Sequence, residues 1–122
     1  MSKILVVEDE IGIGMAMRLL LETEGLSAVL AENGLAAIEH LKSSPPPALI
    51  VLDLRMPVMN GWELLGQLRA HADWSRIPVL ITSAEATDGH QALPMLPKPF
   101  NADQLLSMVR QHMTCTGCSA LN

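Results

Sequence analysis

The stretch Ala48-Leu-Ile-Val-Leu-Asp53-Leu-Arg55, continued by Met-Pro-Val-Met-Asn60-Gly61, decides how the rest of the chain is read. Ala48 to Leu52 is apolar without alternation. A strand with one wet face alternates, whereas one apolar on both faces is covered on both, as in the middle of a parallel sheet. An acid, Asp53, closes this strand. Pro57 and Asn60-Gly61 then punctuate the chain, and Gly61 to Ala70 reads as a helix.

The same alternation extends in both directions. Upstream, Ile4 to Val7 reads as a strand and Ile11 to Glu24 as a helix, with Ile11, Met15, Leu19 and the Arg18 stem on its inner side. Gly25 suits the C′ position. Ser27 to Ala31 is a second strand, Asn33-Gly34 a turn signal, and Leu35 to Leu41 a helix that packs through Ala36, Ala37, Ile38 and Leu41. Ser43 to Pro47 is a stiff loop, since consecutive prolines favour an extended conformation. Downstream, Pro78 opens a strand over Val79 to Thr82, and a short strand surrounds Met95 and Leu96. Asn101, with Gln104 at N3, sets up a capping box for a last helix to about His112. The order β-α-β-α-β-α-β-x-β-α implies parallel strands joined by crossover helices, hence an α/β doubly wound sheet. One domain over 1–112 and a flexible tail over 113–122 are expected.

The chain has 122 residues, 49% of them hydrophobic, a net charge of −5 and no cluster of Lys and Arg. Gripping nucleic acid electrostatically needs a basic patch, so no direct nucleic-acid binding is expected. No apolar run approaches the ~18 residues that span a bilayer. Glu8, Asp9 and Glu10 follow the first apolar stretch at once, unlike a signal peptide. With only two cysteines, Cys115 and Cys118, a cytoplasmic location without membrane attachment is expected. The pair is read as an inert part of the tail. His40, His71, His90 and His112 are read as surface residues, Trp74 as the cover of a surface edge, and Trp62 as partly buried near the site.

In open α/β sheets, ligands bind beyond the carboxyl ends of the strands. Those ends carry Glu8-Asp9, Asp53, Thr82-Ser83 and Lys98. Three carboxylates on one rim repel. At ~4 Å and an effective dielectric of about 20, each pair costs on the order of 4 kcal/mol. A divalent cation with oxygen ligands offsets this, and magnesium takes one or two carboxylates plus waters and phosphate oxygens.

Glu8-Asp9 after ILVV, LIVLDLRMPVMNGWELL around Asp53, PVLITSAEA with Ser83, and LPKPF with Lys98 resemble the receiver domain of bacterial response regulators in two-component systems, over Lys3 to about Gln111. The resemblance implies a flavodoxin-like five-stranded sheet of order 2-1-3-4-5. It implies that Asp53 is the phosphoacceptor, taking the group from a phosphohistidine on a histidine kinase or histidine phosphotransfer protein. Glu8, Asp9, the Asp53 carboxylate and the Arg55 backbone carbonyl would hold Mg2+, or Mn2+ in its place. Glu8, one methylene longer than Asp, would act through a metal-bound water and Asp9 directly. Ser83 and Lys98 would contact the phosphoryl oxygens, in keeping with a reaction governed by positioning and charge neutralisation. Lys98-Pro99 is expected to be cis, a form found essentially only before proline.

The match departs from the family in one region. Ala84 to Pro97 must hold a loop, a crossover and a strand, so the helix between the fourth and fifth strands is expected to be reduced or absent. Met95 stands where the family carries an aromatic residue. Arg55 and Glu85 occupy positions that modulate the lifetime of the aspartyl phosphate. A phosphatase of the haloacid-dehalogenase type would want an acid where Arg55 stands. A flavodoxin-like cofactor binder would not place Glu8-Asp9-Glu10 against a phosphate. The remaining alternative is a receiver-like interaction module that works without phosphorylation. Either way the expectation is no enzyme of the usual kind, only self-catalysed phosphotransfer and dephosphorylation, with output through a downstream protein.

Overall fold

A computed structural model describes residues 3–54, 61–83 and 94–113, Ser83 by its backbone alone. In chain order the elements are β1 (Lys3–Val7), α1 (Ile11–Thr23), β2 (Ser27–Ala31), α2 (Gly34–Ser43), β3 (Leu49–Asp53), α3 (Gly61–Ala70), β4 (Val79–Ser83), β5 (Met95–Pro97) and α4 (Ala102–His112). The strands form one five-stranded parallel sheet in the order β2-β1-β3-β4-β5. This is the flavodoxin-like arrangement expected. All five residues of β3 are buried, as its unbroken apolar run requires. The expected shortening between the fourth and fifth strands falls on residues 84–93, outside the described residues, as do Arg55, Glu85, His90, Cys115 and Cys118.

Each face of the sheet carries its own apolar layer. Leu5, Val7, Ile50, Leu52 and Ile81 point to α2 and α3, where Leu41, Leu64 and Leu68 meet them. Ile4, Val6, Val51 and Leu80 point the other way, to Met17 and Leu21 of α1 and Leu105 and Val109 of α4. Period-two alternation in the strands thus feeds two helical layers. Local chemistry sets the helix ends. The amides of Gly25 and Leu26 donate to the carbonyls of Glu22 and Leu21 at 3.1 Å, and Gly25 has φ +83°, a left-handed C-cap that glycine adopts without strain. At the start of α4, the Asn101 side chain takes the Gln104 amide and the Gln104 side chain takes the Asn101 amide, both at 2.8 Å.

Five expectations need correction. Trp62, expected to be partly buried, is exposed. The inner face of α1 is Gly14, Met17 and Leu21, whereas Ile11, Met15 and Leu19 stand outside at 53, 51 and 60% exposure. Gly14 lies against β2: a Cβ there would lie 2.5 Å from Leu30 Cδ1, the end of a side chain that would have to turn aside. Asn33-Gly34 opens α2 rather than a turn, the Asn33 side chain accepting the Ala36 amide at 2.8 Å. Trp74 is buried in the α2–α3 layer, its ring stacked on His71 at 3.8 Å. The short segment between α3 and β4 turns that indole inward to close the end of the core. Finally, His40, His71 and His112 are half-buried, and the Nε2 atom of His40 is enclosed with no partner among the described residues. Burial of that imidazole, with Lys3 nearby, pushes its pKa below the ordinary value.

Candidate phosphoryl-acceptor site

The strand order places β1 and β3 side by side, in the register Val7↔Leu52. The residues that leave these strands at their carboxyl ends, Glu8-Asp9 and Asp53, therefore emerge together. Each of the three carboxylates offers an oxygen, and all three oxygens lie within 4.8 Å of one another. Glu8 and Asp53 are buried, at 1 and 5% exposure, while Asp9 is half-buried. Thr82 pairs with Asp53 across β3 and β4 and is itself buried. Ser83 follows at the end of β4, opposite Pro97. Lys98 leaves β5 and reaches back over the rim: its Nζ stands 3.0 Å from Glu8 Oε1 and 3.5 Å from Asp53 Oδ2. The Lys98–Pro99 bond is cis, as expected.

Burial makes these charges matter. The Glu8 carboxyl is pushed up to about 7, first by burial and then by the Asp53 charge, against the lowering effect of Lys98. Burial alone would lower the Lys98 ammonium, but its hydrogen bond to Glu8 and the charges of Asp53 and Glu8 outweigh it and raise its pKa. The other Glu8 oxygen, Oε2, accepts the Glu10 amide at 3.3 Å. Three hard oxygen donors around one point, with the Lys98 ammonium beside them among the described residues, suit a small divalent cation. Such a site binds an anionic group only when positive charge is present to meet it.

Of the expected residues, the structure brings Glu8, Asp9, Asp53 and Lys98 together and puts the Ser83 backbone on the same rim. Met95 is half-buried against the α2–α3 layer, opposite Ile81. Two features were missed. Gly61 packs directly on the end of β3: its amide donates to the Leu54 carbonyl at 3.0 Å, and a Cβ would lie 2.7 Å from the Asp53 carbonyl oxygen. The link from Lys98 to Glu8 was also not foreseen, although the extra methylene of Glu8 signals the longer reach. Beside Lys98 lies a groove of about 570 Å³ between α1 and α4, lined by Ile13, Ala16, Met17, Leu20 and Phe100 among others.

Comparison with known families gives the same picture. The family model of the response regulator receiver domain matches residues 4–110. The chain belongs to this family. As a receiver domain it is a signalling unit of two-component systems rather than an enzyme of the usual kind. It is 36% identical over 117 residues to a transcriptional regulatory protein, the CpxR homolog of Haemophilus influenzae, covering 90% of this chain and 49% of that one. It is 34% identical over 117 residues to the regulator KdpE of Mycobacterium tuberculosis, covering 90% and 50%. The receiver thus spans about half the length of these curated relatives. Among solved structures it resembles the chemotaxis protein CheY4 of Vibrio cholerae, with a TM-score of 0.84, 27% identity, and 91% of this chain and 98% of that one covered. It also resembles the response regulator TrrA of Thermotoga maritima, solved in complex with Mg(2+)-BeF, with a TM-score of 0.81, 29% identity, and 91% and 98% covered. Among the described residues of this receiver, no helix is long and apolar enough to cross a membrane.

Proposed function

We propose that this receiver takes a phosphoryl group onto Asp53 from a phosphohistidine of a histidine kinase or histidine phosphotransfer protein, and passes the signal to a partner protein. The observation that carries this reading is the convergence of three carboxylate oxygens within 4.8 Å, with the Lys98 ammonium beside two of those carboxylates. Glu8, Asp9 and Asp53, with the Arg55 carbonyl, are the candidate holders of Mg2+, or of Mn2+ in its place. The Mg2+ found with TrrA supports the first choice. The ion would supply positive charge to the phosphoryl oxygens.

The residues of the chain do the rest. A carboxylate oxygen of Asp53 attacks phosphorus, the new O–P bond forms as the P–N bond to the imidazole breaks, and the leaving nitrogen keeps the electron pair and takes up a proton. Lys98 meets the oxygens that gather charge, and burial of Asp53 keeps competing water away. Ser83 adds a hydroxyl from the end of β4. The groove between α1 and α4 is lined by Lys98, so a donor protein seated in it would lie against α1.

Intact mass measurement tests the proposal. Incubation with Mg2+ and acetyl phosphate is expected to add one phosphoryl mass to the native protein, and none after EDTA treatment or in Asp53→Asn. No gain with acetyl phosphate or with a panel of phosphorylated kinases would refute the acceptor reading and leave an interaction module that works without phosphorylation.

A further inference from the structure

Lys98 has two carboxylates to choose between and sits closer to the farther one. β5 and β1 are separated in the sheet by β4 and β3, three strand spacings or roughly 14 Å. Lys98 nevertheless extends past the end of β3 to place Nζ 3.0 Å from Glu8 Oε1, leaving Asp53 Oδ2 at 3.5 Å. The Glu8 side chain is 1% exposed and that of Lys98 19%, so the acid is the fixed end and the amine the end able to leave. Both oxygens of Glu8 are engaged, Oε1 by Lys98 and Oε2 by the Glu10 amide. Yet Glu8 is also one of the three acids that converge for a cation. A carboxylate oxygen that faces an ammonium at hydrogen-bond distance is poorly placed to face a divalent cation, since the two positive charges repel at this range.

We propose that Glu8 is the resting counterion of Lys98, and that the Glu8–Lys98 pair competes with divalent-cation binding, so that occupation of the acid cluster turns Lys98 from Glu8 toward Asp53. Glu8 is then a positioning residue that makes the phosphoryl-binding lysine available only when the cation is present. The identity of residue 8 is what makes this possible. An Asp would be shorter by one C–C bond, about 1.5 Å, and would leave Lys98 to Asp53. The purpose of the transfer rests on the acceptor reading, but the competition is a property of the domain without any phosphodonor.

The test is a cycle of Mg2+ affinities measured by titration calorimetry on the whole chain without a phosphodonor. The four proteins are the native chain, Lys98→Met, Glu8→Asp and the double variant. General repulsion between an ammonium and a cation is present with either acid at position 8. Competition for one carboxylate requires the longer one. Lys98→Met is expected to tighten Mg2+ binding by about tenfold in the native background, within the range of coupled neighbours, and by less than about threefold in the Glu8→Asp background. Gains that differ by less than about threefold between backgrounds, or no gain at all, overturn the proposal. Should Lys98→Met fail to fold, Lys98→Gln replaces it. On the unaltered chain, the Lys98 Cε signal in NMR should move with the Mg2+ titration, and move less in Glu8→Asp; equal movement counts against the proposal. If native protein binds no Mg2+, the metal reading falls with this one. If Mg2+ binds and the cycle shows no coupling, only this inference falls, and the mass test at Asp53 still decides the acceptor reading.

Discussion

Replacing Gly61 with alanine adds one methyl group at a crowded point beside the end of β3. The new Cβ would lie 2.6 Å from Leu54 Cα and 2.7 Å from the Asp53 carbonyl oxygen, against 3.4 Å for ordinary contact. One side must move by about 0.8 Å. Both nearest atoms belong to the backbone, so no side chain can rotate away, and the cost falls in the upper part of the range of about 1–3 kcal/mol for overpacking. Gly66 on the same helix is the control: it is exposed and has nothing within 4 Å of its Cβ position. Alanine there should stabilise by about 0.5–1 kcal/mol through helix propensity. Urea unfolding in EDTA, followed by circular dichroism, should therefore move the two midpoints in opposite directions. With slopes of about 1–3 kcal/mol/M, Gly61→Ala should unfold roughly 1 M earlier than native protein. The same displacement touches the backbone of Asp53, so phosphorylation of Gly61→Ala by acetyl phosphate should slow while Gly66→Ala keeps the native rate. A Gly61→Ala midpoint at or above that of native protein would refute the close-packing argument.

Three further outcomes follow from other parts of the molecule. In α1, Leu21→Ala should cost about 2–5 kcal/mol as a core truncation, while Leu19→Ala should stay within about 0.5 kcal/mol of native stability; comparable losses in the two urea curves would mean that the helix faces the other way. The Glu8 carboxyl, raised from 4.5 to about 7, favours the folded state when protonated. Its contribution is complete below pH 4.5 and is lost as pH rises through 7, so in EDTA Glu8→Gln should gain on native protein between pH 4 and 8 by about 3 kcal/mol, and a gain that does not grow with pH would be inconsistent with a buried, protonatable Glu8. Mg2+ at ten times its dissociation constant should stabilise native protein by about 1.4 kcal/mol; in Asp9→Asn the thermal shift at the same concentration should shrink, and an unchanged shift would remove Asp9 from the ligands.

How much of this was legible in the sequence depends on how much contrast each segment offers. β3 could be read because an apolar run of strand length has one natural place, the middle of a covered sheet. The cap of α4 could be read because Asn101 and Gln104 carry the needed groups at the needed spacing. The phase of α1 could not. Ile11, Ile13, Met15, Met17, Leu19, Leu20 and Leu21 ring the helix with apolar side chains, so the pattern singles out no one face. Trp74 misled for a related reason, since a turn before a strand gives no period from which to infer a buried side. At the site, the rule that ligands gather at strand ends brought Glu8, Asp9, Asp53 and Lys98 to one rim. It says nothing of which acid a lysine on a long arm will choose, because that depends on differences of half an ångström between carboxylates.

The pairing of Glu8 with Lys98 spans 90 residues of chain, and β1 lies between two strands that both come after it in the sequence. The first strand therefore cannot complete its hydrogen bonds until β3 has formed, and the last charged group reaches the rim only when β5 docks on β4. Contacts so distant along the chain form slowly. A folding intermediate that lacks the fifth strand would hold the acids without the cation that steadies them, and would be less ready to take a phosphoryl group. A phosphorylated Asp53 would then mark a chain whose sheet is complete to its far edge.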